Sequence, residues 1–282
     1  MRYYVPLLGG IGNLCLEIPF LLHLKDLGHE VVVTRKSIDF KQCEDLLAHA
    51  YDDIVAHKSP IKPGSIGPLL NNKYNPRTTP EWFGWFVAYG IKPPTKPKYY
   101  TMYQKTDEKF DVGICPTCKD NWYMKKYPHW PELTKKIADT GKSVAVFGLA
   151  KDGRGIDYSH PNVTDLRGNS HLLLTAGRLK NCGLVIANEG GLAHLSTAQG
   201  TMTYIIQGGS DHNKGKHPTN NHKFISLGLK CQPCQHRPGR VIIKEKGLWT
   251  YYGCPKAFID KHGSVNCLKQ LTPGMVLKEI FK

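Results

Sequence analysis

The stretch LVIANEGGLAHLSTAQGTMTYIIQGGSD, residues 184–211, decides the fold. Leu184 to Ala187 is an apolar run of the size of a buried strand. Asn188-Glu189-Gly190-Gly191 breaks it with turn residues. Leu192 to Gln199 resumes with helix formers, and Leu192, Leu195 and Ala198 fall on one face. Gly200 is a stop signal just past that helix, and Thr201 to Gln207 has the Thr, Tyr and Ile content of a second strand. Strand, glycine turn, helix and strand make a βαβ crossover, so the sheet is parallel. Free backbone N–H groups and the helix dipole at such a turn favour an anion. Glu189 stands at the lip of the turn, placed to accept hydrogen bonds from sugar hydroxyls. His194, one turn into the helix, is placed to donate to a phosphate.

The same pattern recurs at the N-terminus. Arg2 to Leu8 predicts a strand, Gly9-Gly10-Ile11-Gly12-Asn13 a glycine loop, and Leu14 to Leu27 a helix with Leu14, Ile18, Leu21 and Leu22 on one face. Pro19 should kink that helix or delay its start. Gly28-His29 ends it, and Glu30 to Thr34 predicts the next strand. Cys43 to Ala56 reads as a helix running into a strand. Glu81 to Tyr89 concentrates Trp82, Phe83, Trp85, Phe86 and Tyr89, either as core, favoured for Phe83 and Phe86, or as a platform for an acceptor. Lys92-Pro-Pro-Thr-Lys96-Pro-Lys98 is a stiff linker, which places a domain boundary near residue 98. Strands at Asp111–Ile114 and Ser143–Gly148, with a helix at Pro131–Thr140, precede the opening stretch. Thr272-Pro273 is a cap and first turn for a terminal helix.

Asn188 to Leu195 together with Gly208-Gly209-Ser210-Asp211 resembles the donor-binding signature of the lipopolysaccharide heptosyltransferases, glycosyltransferase family 9. That family carries an Asp-Ser/Thr-Gly-Leu-x-His core and a later Gly-Pro-Thr-Asp element. Here Glu189 replaces the usual Asp and Gly190 the usual Ser/Thr. The resemblance implies an α/β protein of GT-B type, two Rossmann-like domains facing a central cleft. Residues 1–98 would form the acceptor side, residues 99–271 the nucleotide-sugar side, and the helix in 272–282 would return to the first domain. It also implies an inverting transfer without a catalytic metal, in which a nucleotide sugar meets Gly10, Gly12, Glu189, Gly190, Gly191 and His194. Trp130-Pro131 matches a pair that the family places near a cation facing the donor phosphates. Lys119, Lys125 and Lys126 are the candidates, and the resemblance does not choose among them.

The family's proposed base, an Asp after the last glycine of the N-terminal loop, is Asn13 here. An amide does not accept a proton at neutral pH. Glu17, which shares a helix face with Asn13, and Asp39 are the substitutes. Lysine and arginine number 38 against 23 acidic residues, a formal charge of +15 that attracts polyanions. The acceptor is accordingly expected to be polyanionic: a hydroxylated base in phage DNA, or a lipopolysaccharide core glycan. A non-catalytic nucleic-acid-binding protein on the same scaffold is the third reading. The N-terminus runs straight into a strand pattern, and the expected location is cytoplasmic. The nine cysteines are then more consistent with thiols or metal ligands than with disulfides. Cys231, Cys234, Cys254 and Cys267 would suit a structural zinc, Cys115 and Cys118 with Cys231 and Cys234 form a rival set, and plain buried thiols are the third possibility.

Overall fold

The computed structural model describes residues 1–7, 10–35, 41–56, 80–118, 122–168, 171–211, 215–234, 241–245, 248–252 and 265–282. Strand β1 (Arg2–Pro6), helix α1 (Ile11–Asp26), strand β2 (Glu30–Arg35), helix α2 (Lys41–Leu47) and strand β3 (Asp53–Ala56) make a parallel sheet in the order β1-β2-β3. Helix α3 (Glu81–Tyr89) completes this part. Helix α1 is apolar on nearly every side, which is the pattern of a helix buried all round. It begins at Ile11, ahead of the expected Leu14, and runs through Pro19. Pro19 itself is buried, so packing against neighbours compensates the missing backbone donor.

The second sheet holds β4 (Phe110–Cys115), β5 (Val144–Val146), β6 (Val163–Asp165), β7 (Cys182–Asn188), β8 (Thr203–Ile206) and β9 (His222–Ile225). All of its pairings are parallel, in the order β6-β5-β4-β7-β8-β9. This is the doubly wound order of dinucleotide-binding folds, and it reverses between β4 and β7. The period of two sorts the side chains. Ala145, Phe147, Val185 and Ala187 join one core, and Val112, Ile114, Val144, Val146 and Ile186 join the other. Helices α5 (Leu172–Lys180) and α6 (Gly191–Ala198) cover the first face, and α4 (Trp130–Ala138) covers the second.

The first core is continuous between the two sheets, joining Leu14, Ile18 and Phe20 of α1 to Leu192, Ala193, Leu195 and Ala198 of α6. Backbone bonds Met102 N–H to Leu46 O and Gln104 N–H to Leu173 O fasten the connecting segment to both sides. The aromatic stretch is part of this core. Phe86 is buried as expected, but Trp85 rather than Phe83 is its fully buried companion, with both rings against Phe20. Trp82 and Tyr89 also pack on the core, so the stretch is no open acceptor platform.

The C-terminal segment departs from expectation. Strand β9 and the antiparallel hairpin β10 (Val241–Glu245) and β11 (Leu248–Tyr252) were not expected, although the Val, Ile, Trp, Thr and Tyr content of residues 241–252 favours strands. A short helix α7 (Asn266–Gln270) precedes α8 (Pro273–Ile280), where Thr272 caps the Met275 N–H as its sequence suggested. Helix α8 packs on the second sheet, not the first. Its Val276 and Ile280 complete the core under α4, and Lys223 Nζ lies 2.9 Å from Glu279. Among the described residues no helix is long and apolar enough to cross a membrane.

Candidate active site

The reversal between β4 and β7 opens a crevice at the carboxyl ends of the strands, where sheets of this type hold ligands. Asn188, at the end of β7, donates from Nδ2 to the Pro116 carbonyl at 2.6 Å and fixes the two loops together. Gly190 follows as an extended N-cap with no side-chain capping bond, so the first N–H groups of α6 stay open to the crevice. The start of α1 faces them. Gly10 is likewise an N-cap without a side-chain bond. The approach is close enough to require glycine: a β-carbon on Gly12 would lie 2.8 Å from His194 Cδ2, and one on Gly191 would lie 3.1 Å from Ile11 Cβ. Two uncapped helix N-termini therefore converge on one cleft of about 510 Å³, a field that favours an anion.

Of the candidate lysines that the structure describes, the one brought to this cleft is Lys125, in the short 3-10 turn Tyr123–Lys125. Its Nζ donates to Glu189 Oε1 at 2.7 Å and sits 4.3 Å above the Trp122 ring. Both side chains of the pair are nearly buried, at 15% and 13% exposure. Burial pushes the Glu189 carboxyl up, but the charge and hydrogen bond of Lys125 reverse this and hold it below its ordinary value. Glu189 thus serves Lys125 through one oxygen, and the Ser210 hydroxyl stands against the same carboxylate. An ammonium has three donors, so Lys125 can still address an oxyanion. Lys126 lies instead over the Tyr123 ring and does not line the cleft. Lys119 lies outside the described residues.

Gly10, Gly12, Asn13, Gly190, Gly191 and His194 all line the cleft. His194 is 7% exposed. Burial drives its imidazole down to about 4, Glu189 opposes that shift and Lys125 adds to it, so the ring is neutral at pH 7. Glu17 is placed differently. It is 1% exposed on the packed side of α1 and does not line the cleft, because at that position every face of α1 is covered. Asp39 lies outside the described residues. Sequence reading passed over Asp211 as an individual group, although it is buried and lines the same cleft. It gave no role to Tyr99 or His217, since their contact joins positions 118 apart.

The cysteines do not gather. Cys231 is exposed, Cys234 half-buried against the Gly209 backbone, Cys267 buried in the second core and Cys115 buried in the first. Cys254 lies outside the described residues. Among the described residues no three His, Cys, Asp or Glu side chains are grouped to hold a metal ion, so neither cysteine set is assembled there.

Residues 92–242 match the family model of glycosyltransferase family 9 (heptosyltransferase). Lipooligosaccharide heptosyltransferase 2 of Haemophilus influenzae is 26% identical over 180 residues, 60% of this chain and 46% of that protein. The match thus spans less than half the length of that relative. Among solved structures, the ADP-heptose lipopolysaccharide heptosyltransferase II of E. coli superposes with a TM-score of 0.62 at 15% identity, covering 100% of this chain and 98% of the other. The iron-containing dodecameric glycosyltransferase TibC of enterotoxigenic E. coli gives 0.73 at 17% identity, covering 99% and 75%. A family 9 glycosyl transferase of Veillonella parvula gives 0.68 at 13% identity, covering 99% and 96%. At these identities the likeness speaks for the GT-B fold.

Proposed function

Because the chain belongs to glycosyltransferase family 9, we propose that it transfers a sugar from a nucleoside diphosphate donor to a hydroxyl of an anionic glycan. The observation that carries this reading is the convergence of two uncapped helix N-termini on a cleft that also holds Lys125 and the neutral His194. A diphosphate suits that environment as ligand and, above all, as leaving group. Backbone N–H dipoles, one ammonium and one imidazole N–H would stabilise the charge that grows as the glycosidic bond breaks. The donor's anomeric carbon would then face Asn13 on the opposite wall, where the acceptor hydroxyl attacks with inversion.

Asn13 orients that hydroxyl in this scheme, and a carboxylate takes its proton. Glu189 is held by Lys125 and Glu17 is packed away, whereas Asp211 is buried in the wall of the same cleft. We assign the proton to Asp211. A glycan acceptor is favoured over a base in DNA because the Haemophilus relative and the E. coli structure are named for lipooligosaccharide and lipopolysaccharide transfer. The lysines of the linker give a DNA acceptor little support. Lys92 and Lys96 do not line the cleft, and Lys98 is paired with Asp26 at 2.6 Å.

The test is release of nucleoside diphosphate from a panel of nucleotide sugars, each with lipopolysaccharide core acceptor or with hydroxymethylated DNA. Release that depends on the glycan, unchanged by a chelator, is the expected result. Release that depends only on DNA would overturn the acceptor, and no release with any pair would overturn the activity.

A further inference from the structure

Strand β8 carries the chain toward the cleft, but its ladder with β9 ends at the bond from the Gln207 N–H to the Ile225 carbonyl, 2.9 Å. Gly208-Gly209 follows and leads into Ser210 and Asp211, which are buried, and Asp211 lines the cleft. Glycine is the residue least able to fix its own course. With two in succession, the place of Asp211 depends on what holds the strip from outside. On one side the Gly209 N–H donates to the Met124 carbonyl at 3.4 Å, in the 3-10 turn that carries Lys125. On the other side lies a knuckle of the chain, residues 229–234.

Gln232 is the centre of that knuckle. Its Nε2 donates to the Gly208 carbonyl at 2.7 Å, and its Oε1 accepts from the Leu229 N–H at 2.9 Å. One partner only accepts and the other only donates, so the amide has a single orientation. Its backbone N–H returns to the Leu229 carbonyl at 2.7 Å. The Cys234 N–H donates to the Gly209 carbonyl at 3.0 Å. The packing leaves no play. A β-carbon on Gly208 would run into the Met124 carbonyl, and one on Gly209 into Cys234 Sγ. Gln232 is half-buried and does not line the cleft, so it acts on the cleft only through the strip.

We propose that Gln232 is a positioning residue: by its bond to Gly208 it holds the strip against the 3-10 turn and sets where Asp211 stands in the cleft wall. This rests on reading Asp211 as the group that takes the acceptor's proton. Lys125 is held separately, by its bond to Glu189, so loss of the Gln232 bond frees Asp211 more than Lys125. The two groups also differ in what they demand. A base must stand within hydrogen-bond reach of the proton it takes, and a misplacement of about 1 Å can cost roughly a hundredfold in rate. Attraction of a diphosphate to two helix N-termini and an ammonium does not pass through Asp211. The signature of the clamp is therefore a loss of kcat with donor affinity kept.

Gln232→Met in the full chain keeps the length of the side chain and removes both of its bonds. Turnover is read with the donor and glycan pair that releases nucleoside diphosphate, and ADP serves as the probe of the anion site. The kcat should fall about tenfold to a hundredfold, while the donor KM and the ADP Kd stay within about twofold of the wild type. In an Asp211→Asn background the same change should alter kcat by less than about twofold, because its effect passes through Asp211. Hydrogen exchange at the Gly209 amide should quicken while the amides of α6 keep their protection. Gln232→Glu keeps the bond to Leu229 but sets a carboxylate oxygen against the Gly208 carbonyl; it should show the same pattern and replaces Gln232→Met if that variant does not fold. An unchanged kcat, or an equal loss in both backgrounds as a merely structural role would give, would overturn the proposal. Normal turnover in Asp211→Asn, or none in the wild type, would instead remove the reading on which it rests, and unchanged exchange at Gly209 would then overturn the clamp itself.

Discussion

Replacing Lys125 by Met keeps the bulk of the side chain and removes its charge, which isolates the role of the Lys125–Glu189 pair. The two groups are 2.7 Å apart and each is about 85% buried. Removing one partner of a buried pair costs roughly 3–5 kcal/mol, because the remaining charge is left without compensation. Glu189 keeps 13% of its side-chain surface exposed in the wall of the cleft, which brings the value toward the lower end. Loss of the ammonium over the Trp122 ring adds about 0.5–1 kcal/mol. The expected loss is thus ~3.5–4 kcal/mol, read from urea denaturation at pH 7. The sign of the pH dependence is also fixed. Without Lys125, burial is the largest influence left on the carboxyl, opposed by the Ser210 hydroxyl and by His194, so its folded-state pKa rises relative to the wild type. The folded variant then binds the proton more tightly, so its deficit should shrink from pH 8 to pH 5. Glu189→Gln in the Lys125→Met background should recover much of the loss. A deficit below ~0.5 kcal/mol, the scale of an ordinary surface change, or one independent of pH would refute the placement of Glu189 as a buried partner of Lys125.

Gly12→Ala should destabilise by roughly 1–3 kcal/mol, as overpacking does, because its β-carbon meets His194 Cδ2 at 2.8 Å; Gly10→Ala, with nothing within 4 Å, is the control, and equal melting temperatures for the two would sink the close-approach argument. The buried histidines predict acid sensitivity. Burial lowers His194 to about 4 and pulls down His217, His222 and His49 as well, so the unfolded chain binds protons that the folded one refuses. Stability should therefore fall as pH drops from about 6.5 toward 4, by up to ~3 kcal/mol from His194 alone. Denaturation midpoints that stay level between pH 7 and pH 5 would contradict it, since carboxylates act mainly below that window.

What the sequence made legible was local. Residues 184–207 encode strand, turn, helix and strand in one continuous pattern, and the structure places β7, α6 and β8 there, with β7 starting two residues earlier at Cys182. Residues 2–34 do the same, and Thr272 caps its helix as the side chain dictates. Choices that depend on packing were not legible. Three lysines were equivalent in sequence, and only the 3-10 turn that lifts Lys125 toward Glu189 separates it from Lys126. Glu17 has the spacing to share a face with Asn13. A helix covered on all sides, however, hides a face that spacing alone would open to solvent. The terminal helix was assigned to the wrong sheet for a similar reason. Val276 and Ile280 define an apolar face, but nothing local says which core it completes.

The shared core constrains how the cleft can work. A GT-B cleft that opened widely by a hinge would have to part α1 from α6. That would expose Leu14 and Ile18 on one side and Leu192 and Leu195 on the other, all of them in one continuous core. At about 1.5 kcal/mol for each such side chain, separation costs on the order of 6 kcal/mol. At ~1.4 kcal/mol per tenfold, the parted form would be about one molecule in ten thousand. The glycines at 12 and 191 tighten this further, because the helix starts meet backbone to side chain with no slack for sliding. Ligands must then enter by the mouth of the cleft rather than by separation of its walls. Leu149 stands at that mouth, 56% exposed and part of the lining. Its loop is pinned, with Asp152 Oδ2 accepting from both Thr117 Oγ1 and Leu149 N at 2.8 Å. On the proposed reading, a fixed apolar lip beside a floor that favours an anion would order a nucleotide by its two unlike ends, the diphosphate drawn inward and the base left at the rim.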